Sequence, residues 1–558
     1  MLAILTAAWI STGGRWPPAA FLILPLAGLA SGVPGRGRLG HRLTARPLRA
    51  ATVIGGLALG ATALVTLVHG VPPPAVPDEF SYLLAADTFT HGRVTNPPHP
   101  MWVHFEALHI IQQPTYMSKY PPAQGLALAI GQVTLGYPIA GAWLSAGLAC
   151  GALTWMLAGW MPGRWALAGG LLSVAHHLTI IWSQSYWGGL VAVLGGALLV
   201  GALGRLVRPP APRARHAVVF GVGLGILANS RPYEGLVLSI PLLIGLAVFL
   251  LSRHGPPARI AVTRVLVPVA SVFLLVAGGM LYYNYRVTGD PLTMPYAVWN
   301  RQYMSAPLFV FQAAPPRPVF RHERLARTYG TPASRPTVTE LAASIGERAG
   351  EQARQFFGAL PIVIAIAALL PLERNPWYHL AVLTLAVFTV ALGFQMWIWS
   401  HYVAPAVGLA LLLVMRSLRR IAVWRPAAIR LGRAVAVAGW LFMTASLAWG
   451  SSDLVRTTAH RGWAAERARI AASLARTGAK HLVLVRYDPR YPLGWEWIYN
   501  AADIDAAPVV WAADMDAGAN ARLFEYYKDR QVWLVELDRQ RITLRPYPMP
   551  PSPGAPVP

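Results

Sequence analysis

Two carboxylates and one lysine carry the chemistry that is legible first. Asp78 and Glu79 stand together in VPDEFSYLLAADTF, directly after an apolar run, and Lys119 follows in SKYPP before the next such run. The aspartate has two readings. It is the N-cap of a helix opening at Pro77, accepting the first free backbone N–H groups, or it is a general base that takes the proton of a hydroxyl. A base of this kind needs a cation nearby, because negative charge grows on a departing oxygen as its bond breaks. Lys119 ends the same segment and is alone in the first 451 residues, the other lysines being Lys480 and Lys528. Its plainer alternative is a lysine that snorkels at a membrane surface.

The elements that must position these groups are apolar. Of 558 residues 55% are apolar and 13% charged, about half the charge of a soluble globular chain, and this hydrophobicity also excludes disorder. Runs long enough to cross about 30 Å of hydrocarbon fall near 49–70, 139–160, 165–181, 187–207, 217–229, 235–251, 262–283, 356–372, 377–393, 403–415 and 434–450, with a possible twelfth at 18–33. The chain therefore reads as an α-helical multi-pass membrane protein with about 11–12 transmembrane helices. Lys+Arg 47 against Asp+Glu 23 gives a net charge of +24, which would suit a polyanionic partner only if the basic residues shared an exposed face. They do not. Clusters such as Arg36 to Arg49, Arg205 to Arg215 and Arg416 to Arg433 fall in segments that alternate with arginine-poor turns, the pattern of cytoplasmic loops, so no nucleic-acid partner is expected.

That topology leaves 1–48 as an N-terminal segment with the extra helix at 18–33 and a basic cytoplasmic stretch, and puts 49–451 in a membrane domain with the long segments 71–138 and 284–355 outside. Residues 452–545, with HLVLVRY at 481–487 and QVWLVEL at 531–537 as strand candidates, read as a small C-terminal α/β soluble domain facing outward. The end of the chain, 546–558, is a Pro-rich tail. Cys150 is the one cysteine, which excludes an intramolecular disulfide and a cysteine metal site.

Other polar groups collect on the outer side. His91, His99, His104 and His109 share the first outer loop with Glu106, but His104 and His109 are five apart rather than the four of a helical metal pair, and no metal site is expected. Arg231 and Glu234 are spaced to pair on one helical turn, or Arg231 is free for a phosphate or sugar. His401 and Tyr402, in WIWSHYVAP, belong to an interfacial aromatic belt or contact a donor. QSYWGG at 184–189 reads as an anchored turn. The stretch NYRVTGDPLTMPYAVWNRQY at 284–303 is too long for a mere connector and is expected to cover the site. No Walker loop, dinucleotide fingerprint or nucleophile elbow is present, which argues against a nucleotide-sugar donor.

The acidic pair after the first well-defined span, the Ser81-Tyr82 that follows, and Lys119-Tyr120-Pro121-Pro122 before the next span together resemble the GT-C superfamily of polyprenyl-phosphate-dependent glycosyltransferases, near its protein O-mannosyltransferase and aminoarabinose transferase branches. His401-Tyr402 and Asn284-Tyr285-Arg286 extend the likeness, which is detailed over 75–160 and topological beyond. The resemblance implies Asp78 as base with Glu79 beside it, and Lys119 on the lipid phosphate. Arg231 and His401 are expected to assist there, and Tyr82, Glu106, Tyr120 and Tyr402 to contact substrate. Ser81 stands where the aminoarabinose transferases carry an arginine. The expected protein is a GT-C type transferase in a bacterial-type inner membrane, working on the outer side. It needs no cofactor beyond its lipid-linked sugar donor, and its partners are the bilayer, that donor and a glycan, lipid or protein acceptor. A transporter or flippase of lipid-linked saccharides, or a noncatalytic envelope scaffold, is the alternative. The first would place charge within spans and show a repeat, and the second would depend wholly on residues 452–558.

Overall fold

The computed structural model describes residues 43–208, 211–331, 336–357, 373–397, 399–424, 432–444, 462–539 and 541–548. The expected span at 18–33, most of that at 356–372, the end of that at 434–450 and most of the Pro-rich tail lie outside the described residues. Within them, seven helices are long and apolar enough to cross a membrane: Pro47–His69, Pro138–Trp160, Gly189–Leu206, Pro232–Leu251, Ala258–Thr288, Pro376–Gly393 and Ser400–Ala422. The run expected at 165–181 is a bent pair, Gly163–Ala175 and His177–Ser183, at 51°. His176 makes the break, its ring nitrogen accepting from Leu178 N at 3.2 Å and so capping the second helix. The run at 217–229 becomes the helix Ala214–Ser230. Lipid-facing leucines and phenylalanines such as Phe273, Leu274 and Leu275 stay exposed on the spans, the expected consequence of a nonpolar solvent. The protein is a multi-pass membrane protein.

The segment 71–138, expected as the first outer loop, is folded rather than a connector. Its helix Pro77–Thr90 opens on a proline, whose missing N–H costs nothing in a first turn. The helix Pro122–Leu135 packs on it, and then lies against the span Pro138–Trp160 so closely that a Cβ on Gly131 would fall 2.1 Å from Gly141 N. Only glycine permits that approach. Between the two helices run β1 (Ile110–Ile111) and β2 (Met117–Ser118), antiparallel, with Ile110 opposite Ser118. This short ladder brings the far end of the loop back to its beginning.

The C-terminal region forms the sheet expected of it. Strands β3 (His481–Tyr487), β4 (Val509–Ala513), β5 (Gln531–Leu537) and β6 (Ile542–Pro546) lie in the order β4-β3-β5-β6, parallel except for β6. The helices Gly462–Ala475 and Ala517–Tyr526 accompany them. This sheet shares a core with the first outer loop: Phe80 and Phe105 pack with Trp463, Trp497 and Val510. Phe80 stacks on Tyr499 at 4.0 Å, and Asp87 accepts from Ala502 N at 2.7 Å. The soluble part thus sits on the segment that carries the acidic pair.

Candidate active site

Asp78 and Glu79 are adjacent in sequence and turned to different tasks. The N-cap position falls on Val76, not on Asp78. Glu79 supplies the acceptor that the cap lacks: its Oε2 takes the Ala75 and Val76 N–H groups at 2.8 and 3.2 Å, and Oε1 takes that of Tyr186 at 3.1 Å. Its carboxylate thereby ties the helix start to the QSYWGG turn, a bracing position in place of the expected chemical one. Replacing Glu79 by alanine leaves two buried N–H groups and one part-buried one without this partner, and is expected to cost about 3 kcal/mol of stability. Thermal unfolding of the full chain in detergent measures it, and an unchanged melting temperature would contradict the bracing role.

Asp78 is free of such backbone duty. Its Oδ1 accepts the Tyr120 hydroxyl at 2.5 Å, and its Oδ2 lies 3.4 Å from His109 Nδ1. The same histidine nitrogen is 3.1 Å from the Tyr120 oxygen. His109 is held by its own backbone: it has a φ of 66°, and its carbonyl receives the Ser81 hydroxyl at 2.8 Å. Ser81, noted for not being an arginine, therefore positions the loop here. Burial by itself would raise the Asp78 carboxyl. The positive field of His109, His401 and Lys119 outweighs it and keeps the group well below the usual carboxylate range. His109 is pushed down by burial and by Lys119, against the pull of Asp78.

Lys119 projects from the end of β2 into an aromatic cage. Its Nζ lies 3.5 Å from the ring centre of Trp299, 4.8 Å from that of Tyr296 and 5.1 Å from that of Tyr120, within cation–π range. At 3% exposure the ammonium is poorly solvated, and burial lowers its pKa to about 7 although Asp78 pulls the other way. Tyr296 and Trp299 come from the helix Pro295–Tyr303 of the second outer loop. A narrow pocket is lined by Lys119, Pro122, Asn229, Met280, Tyr283 and Tyr296, of which Met280 and Tyr283 belong to the span Ala258–Thr288.

Arg231 and His401 complete the opposite wall. Arg231 occupies the turn before the span Pro232–Leu251, buried, with its guanidinium 5.0 Å from the Tyr402 ring and Nη2 without a hydrogen-bond partner. Glu234, which the spacing offered as its mate, instead accepts from Gln395 at 3.2 Å. His401 is buried against Trp187, ring centres 5.2 Å apart, and its Nδ1 likewise lacks a partner. Tyr82 stacks on Tyr120 at 4.5 Å. Asp78, Lys119, Arg231, His401, Tyr82, Tyr120 and Tyr402 thus come together from four separate segments. The unpaired guanidinium N–H of Arg231 and the buried Lys119 ammonium near it make a place for an anion.

Glu106 is not part of this group. It lies under the C-terminal sheet, accepting from Tyr303 at 2.9 Å and facing Arg321 and His322 at 3.5 Å. Asp290 caps its own exposed turn through Leu292 N and Thr293. His99 and His104 bind the C-terminal domain, at Asp505 and at the carbonyls of Ala513 and Ala519. Among the described residues no three His, Cys, Asp or Glu side chains are grouped to hold a metal. Three neighbours of the site were not singled out from the sequence: His109 as the partner of Asp78, and Tyr296 and Trp299 as the cage. The i, i+3 spacing of those two rings in PYAVWNRQY was the available signal.

No protein-family model and no curated protein matches the chain. Among solved structures, ArnT from Cupriavidus metallidurans is similar in its apo state, with TM-score 0.52, 13% identity and coverage of 88% of this chain and 94% of that one. The same protein bound to undecaprenyl phosphate gives TM-score 0.52 and 13% identity over 86% and 92%. The apo oligosaccharyltransferase of Archaeoglobus fulgidus is more distant, with TM-score 0.46 and 11% identity over 86% and 69%. The fold is similar to that of ArnT. Its likeness to ArnT extends over nearly the whole of both chains.

Proposed function

We propose that the protein is a membrane glycosyltransferase that moves a sugar from a polyprenyl-phosphate donor to an acceptor hydroxyl on the outer side of a bacterial-type inner membrane. The observation that carries this reading is the meeting of an ionised carboxylate, Asp78, with a buried lysine, an unpaired buried donor on Arg231 and an unpaired ring nitrogen on His401. The shared fold with ArnT, which binds undecaprenyl phosphate, and the pocket lined by Lys119 and by residues of a span support a lipid-linked donor.

In this reaction the acceptor O–H gives its proton to an oxygen of Asp78 while its oxygen bonds to the anomeric carbon. The carbon–oxygen bond to phosphate breaks on the opposite face, its electron pair stays on phosphate, and the configuration inverts. Lys119, Arg231 and His401 meet the charge that develops there, so the reading asks for no cofactor besides the donor. Tyr120 and His109 orient the carboxylate, and Tyr82 and Tyr402 line the space between the two walls. Glu79 positions the helix and touches no substrate. The C-terminal domain lies on the outer side with the site.

The test is reconstitution of the full chain in vesicles with a radiolabelled polyprenyl-phosphate sugar and acceptor-bearing envelope extract. Transfer of label with release of polyprenyl phosphate is expected. Movement of the intact donor across the bilayer, with no release, would instead establish a flippase.

A further inference from the structure

A second cleft, away from Asp78, has the make-up of a ligand site. It is an open cleft between the C-terminal sheet and the helix Glu323–Tyr329, with Glu106, Arg327, Arg486, Asp488, Glu496 and Asp514 on its walls. It opens at the carboxyl ends of β3 and β4. The chain passes from β3 to β4 on one side and returns to β5 on the other, so the strand order reverses at β3. Open sheets leave a binding crevice at such a point.

The walls are polar but already balanced. Arg486 pairs with Asp514 at 2.6 Å and with Glu536 at 3.0 Å, and Arg324 with Glu496 at 3.3 Å. One oxygen lacks a hydrogen bond although its carboxylate is held by Tyr303 and faces Arg321 and His322. Glu106 is 4% exposed, and its Oε2 has no hydrogen-bond partner, because the nearby His322 Nε2 is engaged by the Val103 carbonyl at 2.6 Å. A buried carboxylate oxygen in that condition calls for a donor from a ligand. Arg327, at the exposed rim, has its charge near Asp488.

We infer that this cleft binds the saccharide portion of the acceptor. Neighbouring carboxylates and guanidinium groups suit hydroxyls, which donate to one and accept from the other, whereas a charged ligand would meet groups of its own sign. A peptide is disfavoured because the cleft lies at strand ends, where no free ladder edge is offered for strand addition. The cleft also adjoins the reaction centre: Glu106 holds Tyr303, whose ring is 5.9 Å from that of Trp299, the cage of Lys119. The inference rests on the transferase reading and extends it to the acceptor.

Binding of the purified full chain in detergent to arrays of neutral, N-acetylated and acidic oligosaccharides, beside a peptide array, tests it without any donor. Retention on neutral or N-acetylated saccharides is expected, with a loss of tenfold or more in both Glu106→Gln and the rim variant Arg327→Glu. Retention on peptides alone or on acidic saccharides alone, no retention at all, or saccharide binding unchanged in the correctly folded Arg327→Glu variant overturns it. Saccharide binding that depends on Glu106 and Arg327, in a protein that releases no polyprenyl phosphate, would remove the transferase reading and leave the cleft a saccharide site.

Discussion

Asp78→Asn is expected to lower sugar transfer by about 10²- to 10⁴-fold, the range that general-base catalysis supplies, while leaving the protein folded. The two expectations follow from the same contacts. Tyr120 donates to Oδ1, and an asparagine oxygen can accept that bond in the same place. What the amide cannot do is take a proton from the acceptor. Binding of polyprenyl phosphate should be retained or slightly tightened, since Asp78 stands across from the anion's cations and its negative charge opposes the ligand. The measurement is a paired one, turnover with labelled donor and equilibrium binding of polyprenyl phosphate, with melting temperature as the control. Turnover within tenfold of wild type would remove Asp78 as the base. The pH profile adds a second check: because the carboxyl is held well below its usual range, no acid limb should come from Asp78 near pH 4 to 5.

The meeting of these residues was legible because membrane topology constrains it. Once apolar runs and arginines are read for topology, the connecting segments of the membrane domain expected outside hold few carboxylates and one lysine, and short turns such as that of Arg231 have little room to place a side chain elsewhere. The same reasoning misjudged neighbours in sequence. Asp78 and Glu79 differ by one helical step of about 100°, as 3.6 residues per turn require. One therefore faces the loop's interior and the other the backbone around its own helix start, a distinction that composition does not carry. Glu106 shows the opposite limit. Its place in the loop suggested substrate contact beside Asp78, but the register of β1 with β2 turns that stretch under the C-terminal sheet. Long-range pairing of this kind, like the docking of His99 on the turn at Asp505 and of His104 on β4, some 400 residues later, has no local signal. The aromatic cage had one, two rings on a helical face, but what they would enclose depended on the fold of another loop.

Lys119 gives the second large effect, and its sign can be worked out. With a pKa of about 7 in the free protein, the lysine is mostly charged at pH 6 and mostly neutral at pH 8. An anionic phosphate beside it favours the charged form, so the pKa rises on binding and the complex takes up a proton whenever the free lysine lacks one. Affinity for polyprenyl phosphate should accordingly fall about tenfold per pH unit above pH 7, until the raised pKa of the complex is reached. Arg231 stays charged throughout this range and contributes no such slope. Below about pH 6 the monoester itself takes up a proton and affinity declines for that separate reason. Lys119→Met keeps an unbranched, polarisable chain that suits an aromatic cage but removes the charge. It is expected to weaken binding by about 1.5–3 kcal/mol, the worth of a hydrogen bond to a charged group, which is roughly 10- to 150-fold. Above pH 7 the variant should bind with no pH dependence at all. Titration calorimetry in buffers of different ionisation enthalpy reads the proton uptake directly: present at pH 8 in the wild type and missing in Lys119→Met. If the variant keeps the wild-type slope, the proton enters elsewhere, and Lys119 is not the group that receives the phosphate.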